Sequence, residues 1–306
     1  MPEVPLSILD LSPISEGSTP GAALRNSIDL AQRAEAAGYR RYWVAEHHFT
    51  PGVAASSPAV LIGAIAANTS SIRVGSGAVQ LGHQTALAVV EAFGTLAALY
   101  PSRIDLGLGR SGQKRVEARR EVARKAASGE APAPRESRVV DGLLIPPPYS
   151  FTHLLRSPRA GIQGTLLQQP GAETPDFGEQ VDDILAFLAG TWQTSDGVEM
   201  KPVPGEGTDA ELWILGSSAG QSARVAGALG LPFAANYHVS PATVLEAAEA
   251  YREAFRPSAG LDRPHVMVSA DVVVAPTEDE ARELARPYGM WVRSIRSGEG
   301  DRKSVV

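Results

Sequence analysis

Residues 41–50 read RYWVAEHHFT, and this stretch directs the interpretation of the whole chain. Its first half, Arg41 to Ala45, combines aromatic and aliphatic residues in a way that is typical of a buried strand. Its second half, Glu46-His47-His48-Phe49-Thr50, brings a carboxylate and two imidazoles to the point where the strand gives way to a loop. Titratable groups in such a position are typical of a reacting centre, so we expect the functional site there.

On both sides of this stretch, short apolar runs alternate with helical patterns. Such a repeat predicts an α/β fold with a parallel sheet and with its chemistry at the carboxyl ends of the strands. The predicted strands are residues 6–9, 41–45, 72–75, 104–108, 212–215, 232–235 and 266–274, and the predicted helices are residues 19–37, 57–67, 87–100, 177–189, 219–229, 242–255 and 278–295.

These strands are one short of an eight-stranded barrel. We expect the eighth either beyond Val306, which would make residue 306 a fragment or processed end, or within a long insertion at residues 111–190 after strand four. Segments of this length are typical of lids and binding loops. Residues 1–306 are expected to form one barrel domain.

The composition narrows the classes of function. The chain has 306 residues, 43% hydrophobic content, a net charge of -6 and no cysteine. A chain of this length can bury a large core. Binding of a nucleic acid would require clustered lysine and arginine side chains. The run Lys114 to Lys125 mixes both signs of charge and is interpreted as a solvated helix face. Cysteine-based metal sites and thiol nucleophiles are excluded. With neither a leader pattern nor a long apolar run, we expect a cytoplasmic protein without membrane contacts.

Residues 58–67, PAVLIGAIAA, are apolar or small on every side of their predicted helix. An outer barrel helix that met water would carry a polar face. The segment therefore predicts a covered surface. A homodimer partner is the preferred cover, and the alternative is that the insertion folds across the helix.

Gly107 to Gly112 matches the pattern G-x-G-x-x-G after a strand. In dinucleotide-binding folds this pattern belongs to the first strand-to-helix turn, with an acidic residue about 20 positions later at a second strand end. Glu130 has about that spacing but follows no strand. The preferred interpretation is that the glycines allow close approach while Arg110 offers its guanidinium to a phosphate. A surface salt bridge of Arg110 is the alternative.

Gly216-Ser217-Ser218-Ala219-Gly220 satisfies the pattern G-x-S-x-G of a nucleophile elbow. A hydrolase with Ser218 as nucleophile would need an acid and a later histidine; no histidine follows Asp271, and Asp262 with His265 precedes a strand, at the wrong end for strand-top chemistry. Small and hydroxyl residues at a helix start also bind anions. A phosphate bound by Ser217, Ser218, Gln221 and Arg110 would explain both glycine-rich motifs. The alternative is that Ser218 only caps the helix.

Four motifs together resemble the bacterial-luciferase-like flavin-dependent monooxygenases: Glu46 to Thr50, Gly75 to Ala78, Gly107 to Arg110 and the Gly216-Ser217-Ser218 helix start. The resemblance covers residues 6–110 and 212–295. Pro5 to Leu11 and Val79 to His83 are similar to the members that tailor polyketides, such as the mensacarcin-pathway monooxygenase. The resemblance implies a TIM-type (β/α)8 barrel, usually a homodimer, that holds reduced FMN across the strand tops.

By position, the resemblance also implies roles for single residues. His47 would be the catalytic imidazole near flavin C4a. Gly77-Ala78, after Ser76, would be a cis peptide behind the isoalloxazine ring. The phosphate would be held by Arg110, Ser217, Ser218 and Gln221, beside Gly216. His48, His83 and His238 are substrate-side candidates, although His48 is expected to be scaffolding. The loop Leu81 to Ala86 departs from the family pattern, so His83 is expected to face the substrate.

The activity implied is oxygenation of a small aromatic or polyketide-like substrate through a C4a-peroxyflavin, with His47 exchanging the proton. Because the chain lacks a convincing nicotinamide-binding unit, reduced FMN is expected from a separate reductase. No metal site is predicted, since the sequence shows no third well-placed ligand beside the cluster Glu46 to His48. An F420-dependent oxidoreductase of the same fold is the alternative. The third hypothesis is a serine hydrolase or a flavin-binding protein without turnover.

Overall fold

The computed structural model describes residues 4–110, 136–149 and 158–297. Its strands are β1 (Ser7–Asp10), β2 (Arg41–Val44), β3 (Arg73–Ser76), β4 (Val79–Gln80), β5 (Ile104–Gly109), β6 (Arg138–Val140), β7 (Leu143–Ile145), β8 (Glu211–Gly216), β9 (Phe233–Asn236) and β10 (Val266–Ser269). Its α-helices are α1 (Pro20–Ala36), α2 (Pro58–Ala67), α3 (Ala86–Leu99), α4 (Pro158–Leu166), α5 (Phe177–Ala189), α6 (Gln221–Ala228), α7 (Val244–Ala254) and α8 (Glu278–Ser297). Short 3-10 turns cover Leu81–His83 and Pro241–Thr243.

The main sheet has the order β1-β2-β3-β5-β8-β9-β10, and β4 pairs beside the end of β5. Every pairing in this sheet is parallel, and helices separate its successive strands. This is the arrangement of a nearly closed TIM-type α/β barrel, which confirms the predicted fold class. Within the described residues the order stops at β1 and β10, and the β6–β7 hairpin is a separate antiparallel sheet. The described part of the insertion therefore does not supply the eighth strand.

Local sequence explains where the helices begin and end. Thr19 accepts a hydrogen bond from the N–H of Ala22 and precedes Pro20, a residue that suits the first helical turn. Asp176 caps α5 in the same way by accepting from the N–H of Gly178, and the helix ends at Gly190 in the left-handed conformation. These caps fix the helices against the sheet, and α5 packs on α3 and α6.

The core lies in two layers. The larger cluster joins the outer face of the strands to the helices, whereas a smaller one inside the sheet contains Trp43, Trp213, Leu215 and Ala234. Trp43 and Trp213 meet edge to face at 5.2 Å. Glycine makes this packing possible, because a Cβ atom on Gly107 would lie 2.1 Å from the carbonyl oxygen of Ser76. Position 107 of β5 is thus glycine for reasons of packing.

A buried ionic network fills the amino end of the barrel. Asp105 is 0% exposed and accepts from Arg41, Trp43 and Arg73, while Glu211 accepts from Arg41 and Trp213. Arg41 also lies over the Trp213 ring, 4.9 Å from its centroid. Two guanidinium groups and two carboxylates therefore neutralise each other at the floor of the barrel.

Several predicted boundaries need correction. The strand predicted to run from Val266 to Val274 ends at Ser269, and the helix predicted from Ala219 begins at Gln221. Leu6, predicted to be buried, is 60% exposed. Strands β4, β6 and β7 and helix α4 were not predicted, because elements of two or three residues show no periodicity and α4 has little apolar patterning.

Three sequence features, Gly112, Lys114 to Lys125 and Glu130, lie outside the described residues. Among the helices of the described part, none combines the length and the apolar character that a membrane crossing requires.

Candidate active site

The predicted site residues follow the carboxyl ends of adjacent strands. Because β2, β3, β5 and β8 are consecutive in the sheet, their ends form a continuous row. His47 follows β2, Gly77-Ala78 follows β3, Arg110 follows β5, and Ser217-Ser218 follows β8. The row spans three strand spacings, about 14 Å. Groups far apart in sequence are therefore brought to one edge of the barrel.

Arg110 and the start of α6 form one end of this row. A Cβ atom on Gly220 would lie 3.2 Å from Ser218 Oγ and 4.0 Å from Arg110 Nη1, so the three residues converge. Gly220 is the N-cap of α6 and provides no side-chain cap. The alternative of Ser218 as the helix cap is therefore wrong. A guanidinium beside a helix start is an arrangement that favours an anion.

Asp176 also belongs to this end, although the sequence interpretation missed it. It caps α5, and its carboxylate accepts from Gln221 Nε2 at 2.8 and 2.7 Å. That hydrogen bond, with smaller help from backbone N–H groups and from the nearby charge of Arg110, holds the pKa of Asp176 below its ordinary value. Gln221 is thus directed at Asp176 in this structure. The signal available in sequence was an aspartate directly before a helical pattern.

The middle of the row is built from small residues. The peptide bond between Gly77 and Ala78 is cis, as the resemblance implied. A Cβ atom on Gly109 would lie 3.2 Å from Ala78 Cβ, so the cis peptide packs directly beside the end of β5. Backbone without bulky side chains leaves this part of the row open to close approach by a flat group.

Two residues predicted to bind cofactor have structural contacts instead. Ser76 is 0% exposed, and its hydroxyl both donates to the carbonyl oxygen of Gly107 and accepts from the N–H of Gly107. Gly216 packs so that a Cβ atom would lie 2.8 Å from the Phe233 ring. We leave both out of the ligand-binding set for this reason.

Glu46 is the centre of a hydrogen-bond cluster at the other end of the row. Its side chain is 1% exposed, and Oε1 accepts from His48 Nε2 at 2.8 Å and from His83 Nε2 at 2.7 Å. Oε2 accepts from the N–H of Gln80 at 2.9 Å and from Gln84 Nε2 at 3.2 Å. Burial by itself would raise the pKa of Glu46, but the bonds from His83, His48 and Gln80 outweigh it and lower this pKa.

This cluster changes one premise of the sequence interpretation. The loop Leu81–His83 brings His83 against Glu46 and His48, and the two imidazole rings meet edge to face at 5.0 Å. The three potential ligand atoms lie within 4.8 Å of one another. The statement that Glu46 and His48 lack a third ligand is therefore wrong. Sequence could not show it, because His83 is 37 residues from Glu46.

His47 lies between Glu46 and His48 in the chain, just after β2. Its backbone N–H donates to the carbonyl oxygen of Ala55 at 2.8 Å, and its Nδ1 atom is buried. His238 lies farther along the barrel, after β9, with Nδ1 2.7 Å from Ser269 Oγ. Burial lowers the pKa of His238 against the opposing effect of Asp271. The two imidazoles therefore occupy separate positions at the carboxyl end.

The arrangement does not place His265 beside Ser218 in the way that the hydrolase alternative requires. His265 precedes β10 and meets Trp213 edge to face, so it lies at the amino end of the barrel, whereas Ser218 follows β8 at the carboxyl end. Asp271 accepts from the hydroxyl of Tyr288 at 2.6 Å. These positions do not bring Ser218 and the proposed acid–histidine pair together.

The insertion forms part of the wall around the site. Gln168 and Thr174 both donate to the carbonyl oxygen of Gly82, and Gln180 donates to that of Leu81. The β6–β7 hairpin is held from the other side, because the Tyr237 hydroxyl donates to the carbonyl oxygen of Leu144 at 2.8 Å. The segments that carry His83 and His238 are thus both tied to the insertion.

Comparisons with known proteins agree with this geometry. Residues 4–134 and 165–304 match the family described as luciferase-like monooxygenase, so the match reaches into the insertion that the motifs left uncovered. The uncharacterized protein YvbT of Bacillus subtilis is 41% identical over 92% of this chain and 70% of its own length. A luciferase-like monooxygenase of Escherichia coli is 36% identical over 97% of this chain and 74% of its own length.

Solved structures show the same fold. The crystal structure of apo-MsnO8 has a TM-score of 0.75 and 32% identity, covering 99% of this chain and 76% of its own. The oxygenating constituent of 3,6-diketocamphane monooxygenase from Pseudomonas putida, in complex with FMN, has a TM-score of 0.62 and 18% identity over 95% of this chain and 74% of its own. An F420-dependent secondary alcohol dehydrogenase has a TM-score of 0.55 and 18% identity over 99% and 78%. The last two show the fold alone. From the family match and the identities over most of its length, the chain belongs to the luciferase-like monooxygenase family.

Proposed function

We propose that this enzyme uses reduced FMN and O2 to oxygenate a small organic molecule, aromatic or polyketide-like in character. The observation that carries the proposal is the row along β2, β3, β5 and β8, with His47 at one end and Arg110 at the other. FMN matches this arrangement, because its redox-active ring and its phosphate lie at opposite ends of the molecule. FMN is preferred to F420 because the chain belongs to the luciferase-like monooxygenase family.

The phosphate end fits a dianion. Arg110 can donate two parallel hydrogen bonds to phosphate oxygens. The backbone N–H groups at the start of α6 and the dipole of that helix favour the same charge. Ser217 and Ser218 precede this helix, and Ser218 Oγ lies on the same side as Arg110 Nη1 around Gly220. Asp176 orients Gln221 beside them. Arg110, Ser217, Ser218 and the N–H groups at the start of α6 would bind the phosphate, with Gln221 beside them.

The ring end fits a flat group and a proton transfer. Gly77-Ala78 and Gly109 bring backbone and a methyl group to the strand ends, and a planar ring would pack against them. Reduced FMN, when bound, supplies the electrons with which O2 is activated. The contribution of this chain is to orient the ring, to exclude water and to exchange a proton at the His47 imidazole.

The substrate would lie between the ring end and the insertion. His83 and His48 face each other on the cluster around Glu46, and the insertion is tied to the loop that carries His83. His238, held by Ser269 on the opposite side, is the third candidate for a substrate contact. The substrate class rests on the resemblance of Pro5 to Leu11 and Val79 to His83 to the members that tailor polyketides.

The proposal includes a separate flavin reductase and a cytoplasmic setting. Gly107 and Gly109 lie within β5 beside the cis peptide and the Arg110 site, where they are used in packing. The glycine-rich segment is therefore not assigned to nicotinamide binding. Reduced FMN would then be produced by another protein and would reach this enzyme by diffusion.

A homodimer formed through α2 completes the proposal. Val60 is 74% exposed on this helix, and Leu87 and Leu99 on the adjacent α3 are 41% and 65% exposed. The elements that pack on α2 are α1, α3, β2 and β3, and the described contacts of the insertion lead elsewhere. Val60→Glu should convert a dimer to a monomer in light scattering. A wild-type monomer would contradict this part.

The function is tested by binding and by oxygen mixing. Purified enzyme is titrated anaerobically with reduced FMN and with reduced F420, and the complex is then mixed with O2 while the flavin absorbance is followed. We expect reduced FMN to bind more tightly, and a transient spectrum to appear before oxidised FMN. Preferential F420 binding without an oxygen reaction would replace the proposal by the hydride-transfer alternative.

A further inference from the structure

We propose that Glu46, His48 and His83 form a binding site for a divalent transition-metal ion such as Zn²⁺ or Co²⁺. The site is independent of the proposed flavin chemistry, since neither His47 nor Arg110 belongs to it. Two imidazoles and one carboxylate are a ligand set that zinc and neighbouring metals accept in proteins.

The geometry already converges on one point. His48 Nε2 and His83 Nε2 lie 2.8 and 2.7 Å from the same atom, Glu46 Oε1, and all three atoms lie within 4.8 Å of one another. Tetrahedral ligands at the usual zinc–nitrogen distance are separated by about 3.3 Å. Small ring rotations would therefore open the carboxylate–imidazole distances to make room for an ion. His48, with 22% side-chain exposure, has space for such a rotation.

The surroundings hold the carboxylate as a ligand requires. Oε2 of Glu46 is occupied by the N–H of Gln80 and the amide of Gln84, so Oε1 is the oxygen directed at the two imidazoles. Metal-binding carboxylates are commonly fixed by hydrogen bonds of this kind. The ligand oxygen is thus oriented in advance by its neighbours.

The composition of the protein favours occupation at this place. The chain has no cysteine and six histidines, so a borderline metal has few competing ligands. Within residues 4–110, 136–149 and 158–297, Glu46, His48 and His83 are the one group of three residues with suitable ligand spacing. Imidazole nitrogen directs the choice towards Zn²⁺, Co²⁺ or Ni²⁺ and away from Mg²⁺ and Ca²⁺.

A three-ligand site would also affect substrate binding. Zinc with three protein ligands keeps at least one coordination position for water or for an oxygen atom of a substrate. A metal here would therefore select molecules with a carbonyl, phenolate or carboxylate oxygen. Such groups are expected of the aromatic substrates proposed above, and this consequence alone rests on the proposed function.

The experiment uses protein without a histidine tag, stripped with a chelator and titrated with Co²⁺ and Zn²⁺ by calorimetry and by Co²⁺ absorbance. We expect one equivalent to bind at micromolar concentrations. His83→Gln and His48→Gln should each weaken binding about 100-fold. His47→Gln and His238→Gln are matched controls that change neighbouring imidazoles and should bind as the wild type does.

A measurement without substitutions guards against variants that fail to fold. In ¹⁵N-histidine-labelled wild-type protein, one equivalent of Zn²⁺ should shift two imidazole Nε2 resonances and leave the others in place. Absence of binding at micromolar metal, or binding that His83→Gln leaves unchanged, would overturn the proposal and show that the cluster holds protons only. Neither result would bear on the FMN titration, so the two proposals fail separately.

Discussion

The two ends of the barrel carry their charges in different ways. At the amino end, Arg41 and Arg73 are matched by Asp105 and Glu211, and the side chain of Asp105 is completely buried among its partners. At the carboxyl end, Arg110 lies beside the start of α6, where the helix dipole has the same sign. One end neutralises its own charges, whereas the other assembles positive potential with Asp176 as a nearby counter-charge.

The difference separates stability from function within one sheet. Strands that begin in a closed ionic floor hold their far ends in register, so the loops after them can carry groups that do not stabilise the fold. Glu46, in the loop after β2, is an example at the carboxyl end. Its partners are two imidazoles and two glutamines, with no arginine or lysine among the bonds described. Substitutions at the two ends should therefore affect different measurements.

The largest expected effect on a reaction rate lies at the carboxyl end. His47→Gln removes an imidazole that exchanges a proton, so the rate of the spectral changes after oxygen mixing should fall about 100-fold. Reduced-FMN affinity and thermal stability should stay unchanged. His265→Gln, at the amino end beside Trp213, is the control and should leave the rate as it is. Equal rates in the His47 variant and the wild type would remove His47 from the reaction.

The next effect is a stability effect at the amino end. Asp105→Ala leaves Arg41 and Arg73 without their shared buried carboxylate, so the free energy of unfolding should fall by roughly 3–5 kcal/mol. Urea denaturation followed by circular dichroism measures it. Asp29→Ala is the matched control, because Asp29 pairs with Arg33 on an exposed face of α1 and should change nothing measurable. Comparable losses in both variants would contradict a special role of the floor.

The smallest effect depends on pH and also belongs to the amino end. Glu35 accepts from the N–H groups of Ser70, Ser71 and Ile72, just before β3. Burial opposes these bonds, but together they lower the pKa of Glu35 to about 2 from 4.5. Its stabilisation is therefore complete above the unfolded value of 4.5 and is lost as the pH falls towards about 2.

Glu35→Gln isolates this contribution. At neutral pH the variant should be less stable by about 1 kcal/mol, since solvent screening reduces the effect of a partly exposed group. The difference from wild type should shrink as the pH falls below 4.5. Urea denaturation at several pH values measures both curves. A difference that stays constant with pH would show that shape, and not charge, matters at this position.

The parts of the fold in which apolar residues recur regularly along the chain could be predicted from the sequence. Helix α5 was predicted with its observed bounds, Phe177–Ala189, and the structure caps it with Asp176 and ends it at Gly190. The strands of the main path were likewise recognised from apolar runs. The floor of the barrel was missed, since Arg41, Asp105 and Glu211 come together only when three distant strands align.

The site shows the same division. Arg110 and Ser218 could be predicted because each follows a strand in a recognisable motif, and the parallel order of β5 and β8 brings them together. Contacts between Glu46 and His83 could not be predicted, because they depend on the path of a loop after the cis peptide. Asp176 was overlooked for a similar reason, as its partner Gln221 is 45 residues away.

The central claim is that Arg110 and the start of α6 bind a phosphate at the functional end of the barrel. Its most direct test compares the dissociation constants of reduced FMN and reduced riboflavin, which differ by the phosphate, for wild type, Arg110→Ala and the exposed control Arg138→Ala. Arg110→Ala should weaken FMN binding by about 10- to 100-fold and leave riboflavin binding unchanged, whereas Arg138→Ala should change neither. An unchanged FMN affinity, or equal losses for both flavins in Arg110→Ala, would contradict the account.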